Sequence, residues 1–232
     1  MITRRPLELT LVHSPDLEED YGVISGSSPI KNFALLCDKL TEMNQAVSDN
    51  LWVSDNPIEL TIYSKNVPDL QLIDLPGYIQ VTSKNQPPAL KEQISELCER
   101  YIQGTNNIVL AVCPADVDLA NSEALKASKR VDPRGERTIG VITKLDLVDP
   151  DFASEILQTD DYPLKLGYIG VVCKSNEKPR TKFFQMTSSS PDNDLAGSEF
   201  ETKYFREHSA VFGKSAVGIK SLRHVLTRTL ER

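Results

Sequence analysis

Three continuous apolar runs constrain this chain most: NNIVLAVCP (106–114), RTIGVITKLDL (137–147) and LGYIGVVCKSN (166–176). Each is bounded by polar or turn-forming residues, as expected of strands buried on both faces of a sheet. Amphipathic segments lie around them. PPALKEQISELCERYI (87–102) opens with prolines and carries Leu90, Ile94, Leu97 and Tyr101 on one helical face. NSEALKASKRVDP (121–133) reads as a helix with an Asn or Ser cap. In VGIKSLRHVLTRTLER (217–232), Ile219, Leu222, Val225, Leu226 and Leu230 share a face. Buried strands alternating with such helices imply an α/β fold, a doubly wound and mostly parallel sheet with helices on both faces. Ligands of these sheets bind beyond the carboxyl ends of the strands.

Outside those runs, PLELTLVHS (6–14) and IELTIYS (58–64) alternate as half-buried strands. LQLIDLPG (70–77) reads as a buried strand at a hairpin's distance from the second of them. NFALLCDKLTEMNQAV (32–47) and SEFETKYFREH (198–208) read as helices. DLEEDYGVISGSSP (16–29) and MTSSSPDNDLAGSE (186–199) read as polar loops, the second mobile.

Composition removes several function classes. The 232 residues are 40% hydrophobic, enough for a core, and carry a net charge of −7. That acidity argues against a broad nucleic-acid surface. No window approaches the roughly 20 apolar residues of a membrane-spanning helix. The start, MITRRPLELTLVHS, is a poor signal peptide because its apolar residues alternate. Cys37, Cys98, Cys113 and Cys173 form no CxxC pair, and with His13, His208 and His224 scattered, the expectation is reduced core cysteines and no zinc.

The strand tips carry the chemistry. In Thr143-Lys144-Leu145-Asp146, the aspartate can accept two hydrogen bonds from adjacent N–H donors on the Watson–Crick edge of guanine, a pattern adenine lacks. The stem of Lys144 can cover the purine face while its head reaches the ribose or the loop backbone. In Asp74-Leu75-Pro76-Gly77, Asp74 can hold Mg²⁺ through water. The Gly77 N–H can face a γ-phosphate, because glycine lets backbone approach closely. Cys173-Lys174-Ser175-Asn176 could offer backbone amides to the guanine carbonyl. Thr3, just before the first strand, stands where small GTPases keep the switch residue that meets Mg²⁺ and the attacking water. Each string alone also serves as an ordinary turn; their order along the chain is what counts.

With these residues placed, the chain resembles a GTPase domain of the dynamin superfamily. TRRPLELTL, IDLPG, DLANSEALKASKRVDPRGERTIGVITKLDLVD and YIGVV all match that pattern, and DPRGERTIGVITKLDLVD is the most specific. DLPGYIQVTSKNQPPALKEQISELCERYI is closer to the fungal mitochondrial inner-membrane dynamins, counterparts of the mammalian optic-atrophy dynamin. The resemblance spans nearly the whole chain and is weakest over 176–198. It implies one partial GTPase domain over residues 1–232, of P-loop-NTPase type, binding GTP or GDP with Mg²⁺. It implies Thr3 as switch threonine and metal ligand, and Asp74 and Gly77 as the Mg²⁺ and γ-phosphate loop. Thr143, Lys144 and Asp146 become the guanine site, Asp149 a second acidic residue near the base, and Lys174 and Ser175 the last base loop. Dynamins usually carry Asn-Arg where this chain has Cys173-Lys174, so lysine replaces a planar guanidinium there. The resemblance also implies self-association across the nucleotide face, membrane contact through regions outside this chain, and placement at the mitochondrial inner membrane or intermembrane space.

One part of the pattern is missing. No GxxxxGK[ST] precedes Thr3. The single GKS string, Gly213-Lys214-Ser215, has His208 five positions before its glycine and follows the guanine motif. A P-loop supplies backbone donors, a lysine and a hydroxyl to the phosphates. Losing roughly four or five such bonds removes on the order of 6–15 kcal/mol, comparable with the ~8 kcal/mol of a micromolar affinity. The first strand and helix would be missing too, leaving neighbouring strands with unpaired edges. The expectation is a chain that alone binds GTP poorly and folds marginally, with Met1 an internal methionine of a longer protein or the start of a gene model begun one exon late. The alternative expectation is a non-catalytic dynamin remnant serving as a dimerisation module.

Overall fold

The computed structural model describes residues 3–47, 52–82, 84, 86–173, 191–213 and 215–230; side chains are described for all of these except residues 191–198. The chain folds as two compact units, the first comprising described residues up to Cys98 and the second those from Glu99 onward.

In the first unit, β1 (Leu7–His13), β2 (Tyr21–Ile24), β3 (Ile58–Ser64) and β4 (Leu70–Asp74) form a sheet in the order β2-β3-β1-β4. β1 runs parallel to β3, and the β1–β4 and β2–β3 pairs are antiparallel. Helix α1 (Phe33–Gln45), capped by the Asn32 side chain, buries Leu36 and Leu40 against Leu9, Leu60 and Ile62. Three expectations change here. Tyr21–Ile24, read as loop, is a strand, its Val23 and Ile24 hidden from a polarity argument by the surrounding acids and serines. β4 does not form a hairpin with β3 but pairs with β1, with Leu7 opposite Asp74 and Leu11 opposite Leu70. Nor is β4 buried: it lies at the sheet edge with Gln71, Ile73 and Asp74 exposed.

In the second unit, β5 (Val109–Pro114), β6 (Thr138–Thr143) and β7 (Tyr168–Gly170) form a parallel sheet in that order. One face packs Ala111, Cys113, Ile142 and Tyr168 against α3 (Glu123–Val131), α4 (Pro150–Leu157), α5 (Pro191–Glu207) and α6 (Ser209–Phe212). The other packs Ile139, Val141 and Ile169 against Leu222, Val225 and Leu226 of α7 (Ile219–Leu230). Helices therefore cover both faces, as the apolar runs required. Ser122 is the α3 cap. β5 departs from the reading of a strand buried on both faces. The α7 cluster reaches only its neighbour Ile108, and Leu110 and Val112 stay 37% and 55% exposed. Leu230, read as part of the apolar face of α7, is exposed as well and does not join the cluster under that helix. From Pro191 onward the segment read as a mobile loop is the first part of α5. Of the cysteines, Cys98 and Cys113 are buried, Cys37 is half-buried and Cys173 is exposed, all as free thiols. No helix among the described residues is long and apolar enough to cross a membrane.

The long run DPRGERTIGVITKLDL owes part of its character to the turn that starts β6. Asp132 is buried, and its carboxylate accepts from the Glu136 N–H at 2.9 Å, the Arg137 N–H at 2.9 Å and the Thr138 hydroxyl at 2.7 Å. Gly135 stands at φ +61°, and a Cβ there would lie 2.5 Å from the Pro163 carbonyl oxygen, so only glycine fits. The Arg137 guanidinium donates to the carbonyls of Asn107, Ile102 and Val131, tying the end of α2 (Leu90–Ile102) and of α3 to the start of β6. Burial pushes the Asp132 carboxyl up, but the three donors and the Arg137 charge outweigh it and hold it below the usual carboxylate range.

A folded-state pKa below the unfolded value adds stability above the unfolded pKa and loses it as pH falls through the folded one. Asp132→Ala should therefore cost about 2–4 kcal/mol near neutral pH, and the deficit should shrink below the ordinary aspartate range. Urea denaturation of both proteins across that pH window checks it.

Candidate guanine-nucleotide site

The second unit builds its site from the end of β6. Thr143 closes the strand, its carbonyl accepting from the Ala115 N–H at 2.8 Å and its hydroxyl donating to the Cys113 carbonyl at 3.5 Å. The chain then turns sharply. Lys144 adopts the left-handed conformation at φ 59°, ψ 35°, and Leu145–Leu147 make one 3₁₀ turn. A left-handed lysine is uncommon and needs an anchor. The anchor is Leu145, 0% exposed among Ala153, Leu157 and Phe212. Its space is opened by Gly170 on β7, where a Cβ would lie 2.3 Å from the Leu145 Cδ1. The Tyr204 hydroxyl on α5 donates to the Leu145 carbonyl at 3.0 Å.

That turn leaves Asp146 partly exposed, with no hydrogen-bond partner for its carboxylate among the described residues. A left-handed lysine and a buried leucine thus display an aspartate that no described residue hydrogen-bonds. Burial raises the Tyr204 phenol above its ordinary pKa, and the nearby charges of Asp146 and Asp149 add to the effect. Lys144 is placed differently from its sequence reading: its Nζ pairs with Asp116 Oδ2 at 3.6 Å, rather than with backbone. Asp116 was missed by sequence reasoning, although it too follows a strand tip, that of β5. Asp149 serves as the N-cap of α4, its Oδ1 accepting from the Asp151 and Phe152 N–H groups at 3.0 and 3.4 Å. β7 runs beside β6 and leads through Val171 and Val172, both buried, to Cys173. Lys174 and Ser175 lie outside the described residues.

The first unit carries the other sequence-predicted residues. Asp74 ends β4 opposite Leu7, and the Thr3 hydroxyl donates to its Oδ2 at 3.4 Å. Although Asp74 has exposed surface, crowding by protein raises its carboxyl above the usual range, and the Thr3 bond partly offsets this. Thr3 is followed by two pinned arginines. The Arg4 N–H donates to Asn44 Oδ1 at 2.8 Å, its Nε donates to the Trp52 carbonyl at 2.9 Å, and its guanidinium lies 5.7 Å from the Trp52 ring centroid. The Arg5 Nε donates to the Asn56 carbonyl at 2.7 Å. Past Asp74, Leu75, Tyr78 and Ile79 pack against Leu90, Ile94 and Cys98 of α2, and the Cys98 thiol donates to the Pro76 carbonyl at 3.4 Å. No described residue other than its chain neighbours comes within 4 Å of where a Cβ on Gly77 would stand, so described packing does not demand glycine there. Room at that backbone suits an outside ligand.

Thr3 and Asp74 are adjacent oxygen donors of the kind Mg²⁺ takes, and a cation there would lower the raised Asp74 carboxyl. Among the described residues no group of three or more His, Cys, Asp or Glu converges on a metal position. The fit is to an ion held chiefly by phosphate oxygens and water, as Mg²⁺ in nucleotide sites is.

The dynamin-family model matches residues 1–145, which carry Thr3, the Asp74–Gly77 loop and β6 with Thr143 and Lys144. The chain belongs to the dynamin family. It is 51% identical over its whole length to the mitochondrial dynamin-like GTPase MGM1 of Chaetomium thermophilum. It is 50% identical over its whole length to the mitochondrial dynamin-like GTPase msp1 of Schizosaccharomyces pombe. To rat Dynamin-1 it is 41% identical over 76% of its length. It spans 25% of each of the two fungal relatives and 21% of Dynamin-1. The dynamin fold is of the P-loop-NTPase class, and the parallel β5-β6-β7 sheet with its two helical layers agrees with it.

Leu145→Ala would leave a cavity under the left-handed turn. The expected loss is about 2–5 kcal/mol of unfolding free energy, read by chemical denaturation of the two proteins.

Proposed function

We propose that this chain is the guanine-nucleotide-binding part of a dynamin-like GTPase that remodels or fuses the mitochondrial inner membrane. One observation supports this above the others. In a member of the dynamin family, the buried strand β6 ends in a turn that displays the Asp146 carboxylate without a hydrogen-bond partner among the described residues.

On this reading Asp146 accepts from the two guanine N–H donors, and the stem of Lys144 covers the purine while Asp116 steadies its head. Thr143 and Leu145 set the turn, and the backbone past Val172 completes the base pocket. Asp149 contributes mainly by capping α4, which holds the turn from the far side. In the first unit, Thr3 and Asp74 would hold Mg²⁺, which when bound offsets phosphate charge. The Gly77 N–H has the room to meet a γ-phosphate. Thr3 positions the attacking water, and hydrolysis of GTP yields GDP and phosphate. The likeness to the two fungal mitochondrial proteins supports a mitochondrial location; fusion or remodelling of the inner membrane and self-association across the nucleotide face are further parts of the proposal.

Binding of fluorescent GTP and GDP with Mg²⁺ tests this, on the chain as given and on a version extended upstream to include any encoded P-loop. Guanine-selective binding by the extended version supports the reading. No binding by either overturns it. Asp146→Asn should lower guanine-nucleotide affinity by about 100-fold or more, an order-of-magnitude figure for losing a charge-assisted pair. It should also admit xanthine nucleotides, because an amide offers one donor and one acceptor where xanthine presents the complementary pair. Competition titration with the two nucleotide series reads both effects.

A further inference from the structure

Helix α5 touches the ends of two strands through two residues three apart. The Glu201 carboxylate is 7% exposed, and both of its oxygens are used. Its Oε1 accepts from the Val172 N–H at 3.0 Å, where the chain leaves β7 for the last base loop. Its Oε2 accepts from the Ile219 N–H at 2.8 Å, the first residue of α7. Tyr204, on the same face of α5, donates its hydroxyl to the Leu145 carbonyl inside the Thr143–Asp146 turn at 3.0 Å.

Burying a carboxylate is costly unless both oxygens are satisfied. Glu201 meets that condition with two backbone amides, one just past the backbone bonds that join Gly170 to Ala216 and Gly218 and Val171 to Ile142, the other at the start of α7. The Val172 amide lies beyond the last residue of β7 and so outside the β6–β7 ladder. The Ile219 amide is an unsatisfied donor of a helix start, where a negative charge is favoured. Gly218 precedes it at φ +84°, with a Cβ position 3.4 Å from the Glu201 Oε2, so the backbone comes close to the carboxylate there.

We propose that Glu201 and Tyr204 are the positioning residues of the guanine site: α5 clamps the two base-recognition loops at a fixed separation, and Glu201 extends the clamp to α7. Neither residue touches the base. Both set where the Asp146 carboxylate stands relative to Val172, the residue past which the last base loop departs. The proposal rests on the guanine-site reading above and adds what holds that site in register. It also ties the first turn of α7 to the chain past β7, in parallel with the backbone bridge between Gly170 and Val217.

The test uses the full-length protein as expressed from its gene, with dissociation of fluorescent GDP and its competition by GDP, IDP and ADP. IDP lacks the 2-amino group, so the GDP-to-IDP preference reports whether the second Asp146 bond is in place. Glu201→Gln keeps size and one acceptor but turns an NH₂ toward an N–H. Tyr204→Phe keeps the ring in its cluster and removes only the hydroxyl. Tyr168→Phe is the control, because it loses a buried hydroxyl whose bond to the Tyr162 carbonyl at 2.8 Å touches neither base loop. The expected result is about tenfold faster GDP release in each of the first two variants, the equivalent of one net hydrogen bond. Their GDP-to-IDP preference should fall by a similar factor while Tyr168→Phe keeps it. Should Glu201→Gln fail to fold, Tyr204→Phe carries the same readout. Unchanged preference in the folded clamp variants, or an equal fall in Tyr168→Phe, overturns the clamp while leaving the guanine site standing. A wild-type protein that does not prefer GDP to IDP and ADP overturns the guanine-site reading and the clamp with it.

Discussion

Burial of β6 on both faces is the constraint on which the second unit depends. Five of its six residues are buried, and the two faces belong to different clusters, Ile142 to the one under α3 and α4, Ile139 and Val141 to the one under α7. A strand held this way cannot slip by one residue without exchanging the two sets. Its ends are therefore fixed. At the start, Asp132 and Gly135 shape the turn that feeds it. At the finish, Leu145 is drawn into the core and forces Lys144 into a left-handed conformation. The display of Asp146 follows from apolar packing one residue away.

The two units stand in contrast. In the first, the sheet is mixed, with β4 as an exposed edge, and the Asp74 loop is held mainly by apolar packing on α2 and one thiol hydrogen bond. In the second, the turn after β6 is held by a core leucine and a tyrosine hydroxyl. A base-recognition loop must keep its geometry to discriminate between purines, whereas a loop that responds to a terminal phosphate must be free to move. On the proposed reading, the difference in anchoring suits that division of labour.

Asp149 and Lys144 show how local chemistry competes with function. An aspartate before Pro150 is a strong helix cap, and the same Oδ1 accepts both of the first amides of α4. An exposed lysine next to a carboxylate forms an ion pair of small net worth, so the pair with Asp116 holds Lys144 loosely, which on the proposed reading leaves it available to a base. Neither role was legible from the spacing of the motif, because Asp116 comes from the end of β5 and the cap depends on where α4 begins.

The sequence by itself determined the α/β class, the helices on both faces, a cap for α3 at Asn121 or Ser122, and the placement of Thr143, Lys144 and Asp146 at a strand end. Those features rest on local periodicity and on side-chain-to-backbone bonds within a few residues. It misread β2 and β4 because a short strand's pairing partner is set by segments far along the chain, β3 for one and β1 for the other. It misread β5 because alternation in burial depends on how far α7 reaches across the sheet. Glu201 and Tyr204 carried no signal of their own: a glutamate and a tyrosine three apart on a helix are ordinary. Only the tertiary structure decided that their partners are Val172, Ile219 and Leu145, since backbone amides and carbonyls leave no mark in the sequence of what will bond to them.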